Sequence, residues 1–124
     1  METTNNAALG DCLRAFQKTF NGNEQVKKLI KGWNRLLVLE ATDTAAGVTV
    51  IVNDLMVTEV NEGARDEDDD DETIHLQASE DTLIRIFSGD YNPANALIDG
   101  ELAVFSSEKD KVKLEAISIV IWGM

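Results

Sequence analysis

The apolar positions of the first third of the chain fall into helical stripes. Leu9, Leu13, Phe16 and Phe20 recur at spacings of four, three and four, which puts them on one side of an amphipathic helix. Asn21-Gly22-Asn23 interrupts that pattern. Val26, Leu29, Ile30 and Trp33 then form a second helical stripe with Asn23 as its N-cap. The period next drops to that of a strand. Residues 36–41 (LLVLEA) predict one strand, and the alternation of Val48, Val50 and Val52 with Thr49 and Ile51 predicts another, with a turn at 42–47. Asn53-Asp54 predicts a two-residue turn into a third strand over 55–60. After a polar stretch at 61–71, Ile74, Leu76 and Ala78 alternate with Thr73, His75 and Gln77, a fourth strand with one dry and one wet face.

The second half is punctuated by capping residues. Ser79 caps a helix whose first turn holds Glu80 and Asp81, whose buried side is Leu83, Ile86 and Phe87, and whose stop is Gly89. Asn92-Pro93 pairs a cap with the residue favoured at the first helical position, so a short helix is expected over 93–98. Asp99-Gly100 turns the chain into a fifth strand over 101–105. Ser107 and Asp110 stand at capping-box spacing before a helix expected over 108–122. The β-branched run 117–121 also suits a strand by local propensity.

Composition narrows the picture. A chain of 124 residues suits one domain, spanning 1–124. The formal net charge is −12, yet residues 1–35 carry six Lys/Arg against three acids, so the excess of acid lies further on. Such a surface repels phosphates, and no nucleic-acid partner is expected. Cys12 is the single cysteine; it sits among apolar residues and reads as a small core side chain, the alternative being a reactive thiol. The polar, non-basic opening of the chain and the absence of an apolar run of membrane-spanning length lead to the expectation of a cytoplasmic protein.

No reactive constellation emerges. Residues 66–72 are seven consecutive acids. Aligned to an EF-hand loop, Asp66, Asp68 and Asp70 take the first three ligand places, but Asp71 stands where the turn needs Gly and Gln77 where a bidentate Glu is needed. A mobile, solvated acidic loop over 61–71 is the expectation. His75 is the only histidine, lies on the wet side of its strand and has no ligand or triad partner at suitable spacing. Tyr91 offers either a polar contact in a pocket or simple packing at a helix start. No catalytic residue, metal or cofactor is expected.

One order of elements carries more information than any single residue. The segments GWNRLLVLEATD, VTVIVND and TIHLQASEDTLIRIFSGDYNPANALIDGELAV, followed by a final helix, resemble the sterol carrier protein 2 lipid-binding family. The Ser-Glu-Asp-x-Leu helix start, Gly89, Asn92-Pro93, Ala96 and Gly100 carry the likeness. It runs from about Leu9 to Trp122, and departs from the family's pattern at Ser106-Ser107, where a glycine is common. The resemblance implies an α/β (α+β) fold in which a five-stranded, mainly antiparallel sheet is covered by helices over an apolar tunnel. It implies non-catalytic binding of a hydrophobic small molecule or lipid of the sterol, fatty-acid or acyl-CoA class. The alternative is a structural or regulatory protein-interaction module with a closed cavity. From the family's layout and the phasing of each element, Met56, Leu83, Phe87, Leu97, Phe105 and Ile119 are expected to line the pocket. Lys27, Lys31 and Arg35, at i, i+4 and i+8 beside Leu29, Ile30 and Trp33, suggest transient contact with an anionic membrane surface.

Overall fold

Periodicity and caps resolve into five strands and five helices in the computed structural model, which describes residues 5–63 and 72–123. The acidic run at 66–71 lies outside the described residues. In chain order the elements are α1 (Asn5–Asn21), α2 (Glu24–Leu29), β1 (Arg35–Ala41), β2 (Gly47–Asn53), β3 (Met56–Glu62), β4 (Thr73–Ala78), α3 (Glu80–Phe87), α4 (Pro93–Ile98), β5 (Leu102–Phe105) and α5 (Glu108–Trp122).

The sheet has the order β3-β2-β1-β4-β5. Only the central β1–β4 pair is parallel; β1–β2, β2–β3 and β4–β5 are antiparallel. Leu37, Leu39, Val48, Val50, Val52, Ile74 and Leu76 point to one face and share a single core with Leu9, Leu13, Phe16 and Phe20 of α1. The helical stripe read from the sequence is thus the face that packs on the sheet. Each fully buried side chain of this size contributes roughly 1.5–3 kcal/mol.

Caps fall where the sequence puts them. Asn23, Ser79 and Asn92 accept backbone N–H bonds from the first turns of α2, α3 and α4. The last turns of α5 are helical despite their β-branched residues, and Gly123 closes that helix in the left-handed conformation. Ile117 is buried there against the common core, so tertiary packing overrides local propensity.

The β2–β3 hairpin differs from expectation in two ways. Its turn is Asp54-Leu55, one residue later than expected, with both residues at positive φ (54° and 68°) and Asn53 opposite Met56. This is the backbone that matches strand twist in a two-residue turn, although neither residue is glycine. A bulge at Ile51/Val52 then shifts the register, so the inward residues of β3, Val57 and Val60, are three apart. On the free edge of β3, Asn21 donates to the Val57 carbonyl (3.0 Å) and accepts from the Val57 N–H (2.7 Å), while Gln17 donates to the same carbonyl (2.9 Å). The end of α1 is thereby tied to the sheet.

The second helix is shorter than the apolar stripe that suggested it. It ends at Leu29, Gly32 takes φ +75°, and Arg35 already belongs to β1. Lys27 pairs with Glu24 and Arg35 with Asp110, so Lys27, Lys31 and Arg35 share no helix face. Among the described residues no helix is long and apolar enough to cross a membrane.

Candidate ligand cavity

An apolar cavity of about 250 Å³ lies between the helical side of the sheet and the helices α1, α3, α4 and α5. For scale, an apolar void of ~150 Å³ is enough to hold a benzene ring. Its floor is the inward row of the sheet: Leu37, Val52, Leu76, Leu102 and Val104. Strand alternation after the Asp99-Gly100 turn sets this row in β5, since Val104 stands opposite Leu76.

Aromatic rings close one end. Phe16 meets Phe87 edge-on at 5.1 Å between centroids, and lies 5.6 Å from Phe20 and 5.8 Å from Trp122. Trp122 can sit there because Gly89 has no side chain: a Cβ built at Gly89 would lie 2.9 Å from Trp122 Cδ1. Gly89 also holds φ +85°, so it serves as helix stop and as seat for the indole.

The roof is α5, and its start is anchored beneath. The buried Asp110 carboxylate accepts from Trp33 Nε1 (2.8 Å) and from Arg35 Nε (3.2 and 3.0 Å), and the Arg35 guanidinium lies over the Trp33 ring. Ser107 Oγ accepts from the Asp110 N–H, as a capping residue should. The carboxylate itself does not turn back to complete a capping box; it holds α5 to the start of β1. Lys113 Nζ donates to the Leu29 carbonyl at 2.6 Å, satisfying an orphan acceptor at the end of α2.

The mouth lies between α4 and α5, where the exposed lining residues collect. Leu97 is 43 % and Val112 67 % exposed. Pro93 and Ala94 flank them on α4. The polar lining belongs to α5. Glu108 and Lys111 form an ion pair at 3.7 Å, Glu115 is exposed nearby, and the buried Ser118 donates its hydroxyl to the Glu115 carbonyl at 2.8 Å.

Of the six residues expected here from the sequence, Phe87 and Leu97 line the cavity. Leu83 is fully buried in the core and is not among the residues that line this cavity. Met56, Phe105 and Ile119 are 39 %, 54 % and 53 % exposed and lie off the cavity. Met56 stands opposite Asn53 and shares its outward face, and its neighbour Val57, opposite the inward Val52, is the residue that enters the core. Phe105 has the wrong strand parity, pairing with His75 on the far face. Ile119 follows Ser118 by one residue, about 100° further round the helix. Alternation counted from Leu102 points to Val104. The rings Phe16, Phe20, Trp33 and Trp122 read as plain core in the sequence, and nothing local distinguishes a ring beside a void from one within packing.

Two other groups stand apart from the cavity. Tyr91 donates between Asp99 Oδ2 (2.8 Å) and Glu101 Oε2 (3.0 Å) with the Arg85 guanidinium over its ring; the Asp99 hydrogen bond, above all, pushes its phenol well above the usual range. Cys12 is half-buried, its Sγ donating to the Ile84 carbonyl at 3.5 Å and 3.4 Å from Ser88 Oγ, and burial pushes its thiol up.

No protein-family model matches the sequence, and no curated protein matches it significantly. Solved structures do match. A crystal structure of sterol carrier protein 2 superposes with a TM-score of 0.64 at 15% identity, covering 90% of this chain and 94% of that one. The sterol carrier protein domain 2 of Helicoverpa armigera gives 0.60 at 12% identity, covering 90% and 85%. Palmitated SCP2L2 from Aedes aegypti gives 0.54 at 13% identity, covering 86% and 90%. The mixed five-stranded sheet with helices packed over one face is therefore the sterol carrier protein 2 fold.

Proposed function

We propose that this protein binds a hydrophobic small molecule, a lipid, in the cavity under α5, and does so without catalysing a reaction on it. The observation that carries the reading is the cavity itself: a concave apolar space, walled by aromatic and aliphatic side chains, with its few polar groups gathered at one rim. That is the form of a site for an apolar body with one polar end. Each ligand CH₂ removed from water adds roughly 0.8 kcal/mol, so an acyl chain or ring system needs no charged contact to bind. A structural relative is palmitated, which supports a fold able to take an acyl chain. Native mass spectrometry of the protein purified from its own host is the test. A retained mass, identified as a lipid after extraction, is the expected result. A protein that carries no adduct and takes up none from a lipid extract would count against the reading.

A further inference from the structure

The rim of the cavity has a definite hydrogen-bond and charge character, and it restricts the ligand's head group. Among the described lining residues, Lys111 is the one cation, and it is paired with Glu108 at 3.7 Å. Glu115 is left as an unbalanced negative charge. The neighbouring cations face elsewhere: Arg35 is held by Asp110, and Lys113 by the Leu29 carbonyl. Inside the rim the buried polar side chain is Ser118, whose hydroxyl proton goes to the Glu115 carbonyl at 2.8 Å. Its oxygen is left with acceptor capacity only. Trp33 gives its indole N–H to Asp110, so it offers the cavity nothing. Trp122 Nε1 lies against Gly89 at the aromatic end, and a lone indole N–H does not neutralise an anion.

The rim thus presents the acceptor oxygens of Ser118, Glu108 and Glu115 and the single ammonium of Lys111, which lies beside Glu108, so its formal charge is negative by one. We propose that the ligand carries an uncharged hydroxyl head, able to donate a hydrogen bond to this rim, and that the site discriminates against hydrophobes with a carboxylate or phosphate head. This rests on the reading that the cavity binds a lipid, and narrows it. A carboxylate finds no donor in the Ser118 oxygen, must compete with Glu108 for Lys111, and stands beside Glu115 on a chain of net charge −12. At 13% identity, the palmitated relative shares the fold, and its rim chemistry is not thereby this chain's.

The test uses the whole protein and a neutral fluorescent probe, N-phenyl-1-naphthylamine, displaced by 1-decanol or by decanoate at about pH 7.5, where the acid is ionised. Decanol is expected to displace the probe at a concentration lower by about five-fold or more, the factor that one like charge at close range is worth in water. Raised salt should narrow the gap. Glu115→Lys should narrow or reverse it, whereas Glu59→Lys, an equal charge change on the distant strand β3, should leave it unchanged. Equal displacement, or a preference for decanoate, with the probe bound would overturn the head-group inference and leave the cavity reading standing. Displacement by neither compound while the probe stays bound would also overturn it. A probe that does not bind, with neither compound detectable by calorimetry, would remove both.

Discussion

Trp33 donates its indole N–H to the buried carboxylate of Asp110 at 2.8 Å, joining positions separated by 77 residues. The same carboxylate holds Arg35, so one side chain fastens the roof helix to the start of the central strand. Removing it strands a guanidinium and an indole N–H together. Asp110→Ala is expected to cost about 3–5 kcal/mol, as loss of one partner of a buried pair does. Asp110→Asn keeps an acceptor for Trp33 and should cost less. Urea denaturation followed by tryptophan emission measures both, and a loss below about 1 kcal/mol for the alanine variant would contradict the anchoring role.

Gly89 and Gly100 both hold positive φ, at 85° and 77°, but only Gly89 has a neighbour that a Cβ would strike. Gly100→Ala should therefore cost only the left-handed penalty, about 1–2 kcal/mol. Gly89→Ala should cost that plus displacement of Trp122, about 2–4 kcal/mol in all. It should also shift the tryptophan emission, which Gly100→Ala should not. Equal melting temperatures for the two variants would show that Trp122 yields freely.

Phe87 and Phe105 are both large aromatics with opposite fates. Phe87→Ala is expected to enlarge the cavity and cost about 3 kcal/mol. Phe105→Ala, on the exposed far side, should change stability by no more than about 1 kcal/mol and leave probe binding in the cavity unaltered. Paired thermal melts and probe titrations separate them.

Leu55 holds φ 68° in the hairpin turn, where its Cβ crowds the backbone carbonyl as that of any non-glycine residue would, and is exposed. Leu55→Gly is expected to raise stability by about 1 kcal/mol. A drop in the denaturation midpoint would mean that the leucine's contacts outweigh its backbone strain.

Tyr91 is the only tyrosine, so its ionisation can be followed by absorbance without interference from another phenol. Its phenol is raised, first by the hydrogen bond to Asp99, so the folded protein should ionise later than a free tyrosine. Because the folded value lies above the unfolded one, the arrangement's contribution is intact below tyrosine's ordinary range, about pH 10, and is lost as pH rises through the folded value. Asp99→Asn should bring the titration down toward the ordinary range.

Much of the fold is legible in the sequence because its signals are local. The α1 stripe, the caps Asn23, Ser79 and Asn92, and the alternation in β4 each depend on a few neighbouring residues. The cavity is less legible because its geometry depends on phase. Met56 shares the outward face of its partner Asn53 and Phe105 that of its partner His75, so each is one step of strand parity away from the inward row. On α5, Val112, Leu114, Ile117, Ile119 and Ile121 put apolar side chains all round the helix, so periodicity alone cannot choose its inner face. The Asp110 anchor is invisible locally: Ser107 and Asp110 announce a cap, and only the folded chain brings Trp33 and Arg35 to the carboxylate.

The hydrogen bonds that α1 sends to Val57 also bear on how one molecule meets another. An edge strand with open N–H and C=O groups is a template on which a second chain can extend the sheet. At Val57 that template is occupied, since Asn21 imitates an adjoining strand on both sides of the residue and Gln17 reinforces it. A molecule seeking to add a strand along β3 must first strip the end of α1 from the edge. The same contacts that finish the fold thus guard the edge at Val57 against sheet-to-sheet self-association.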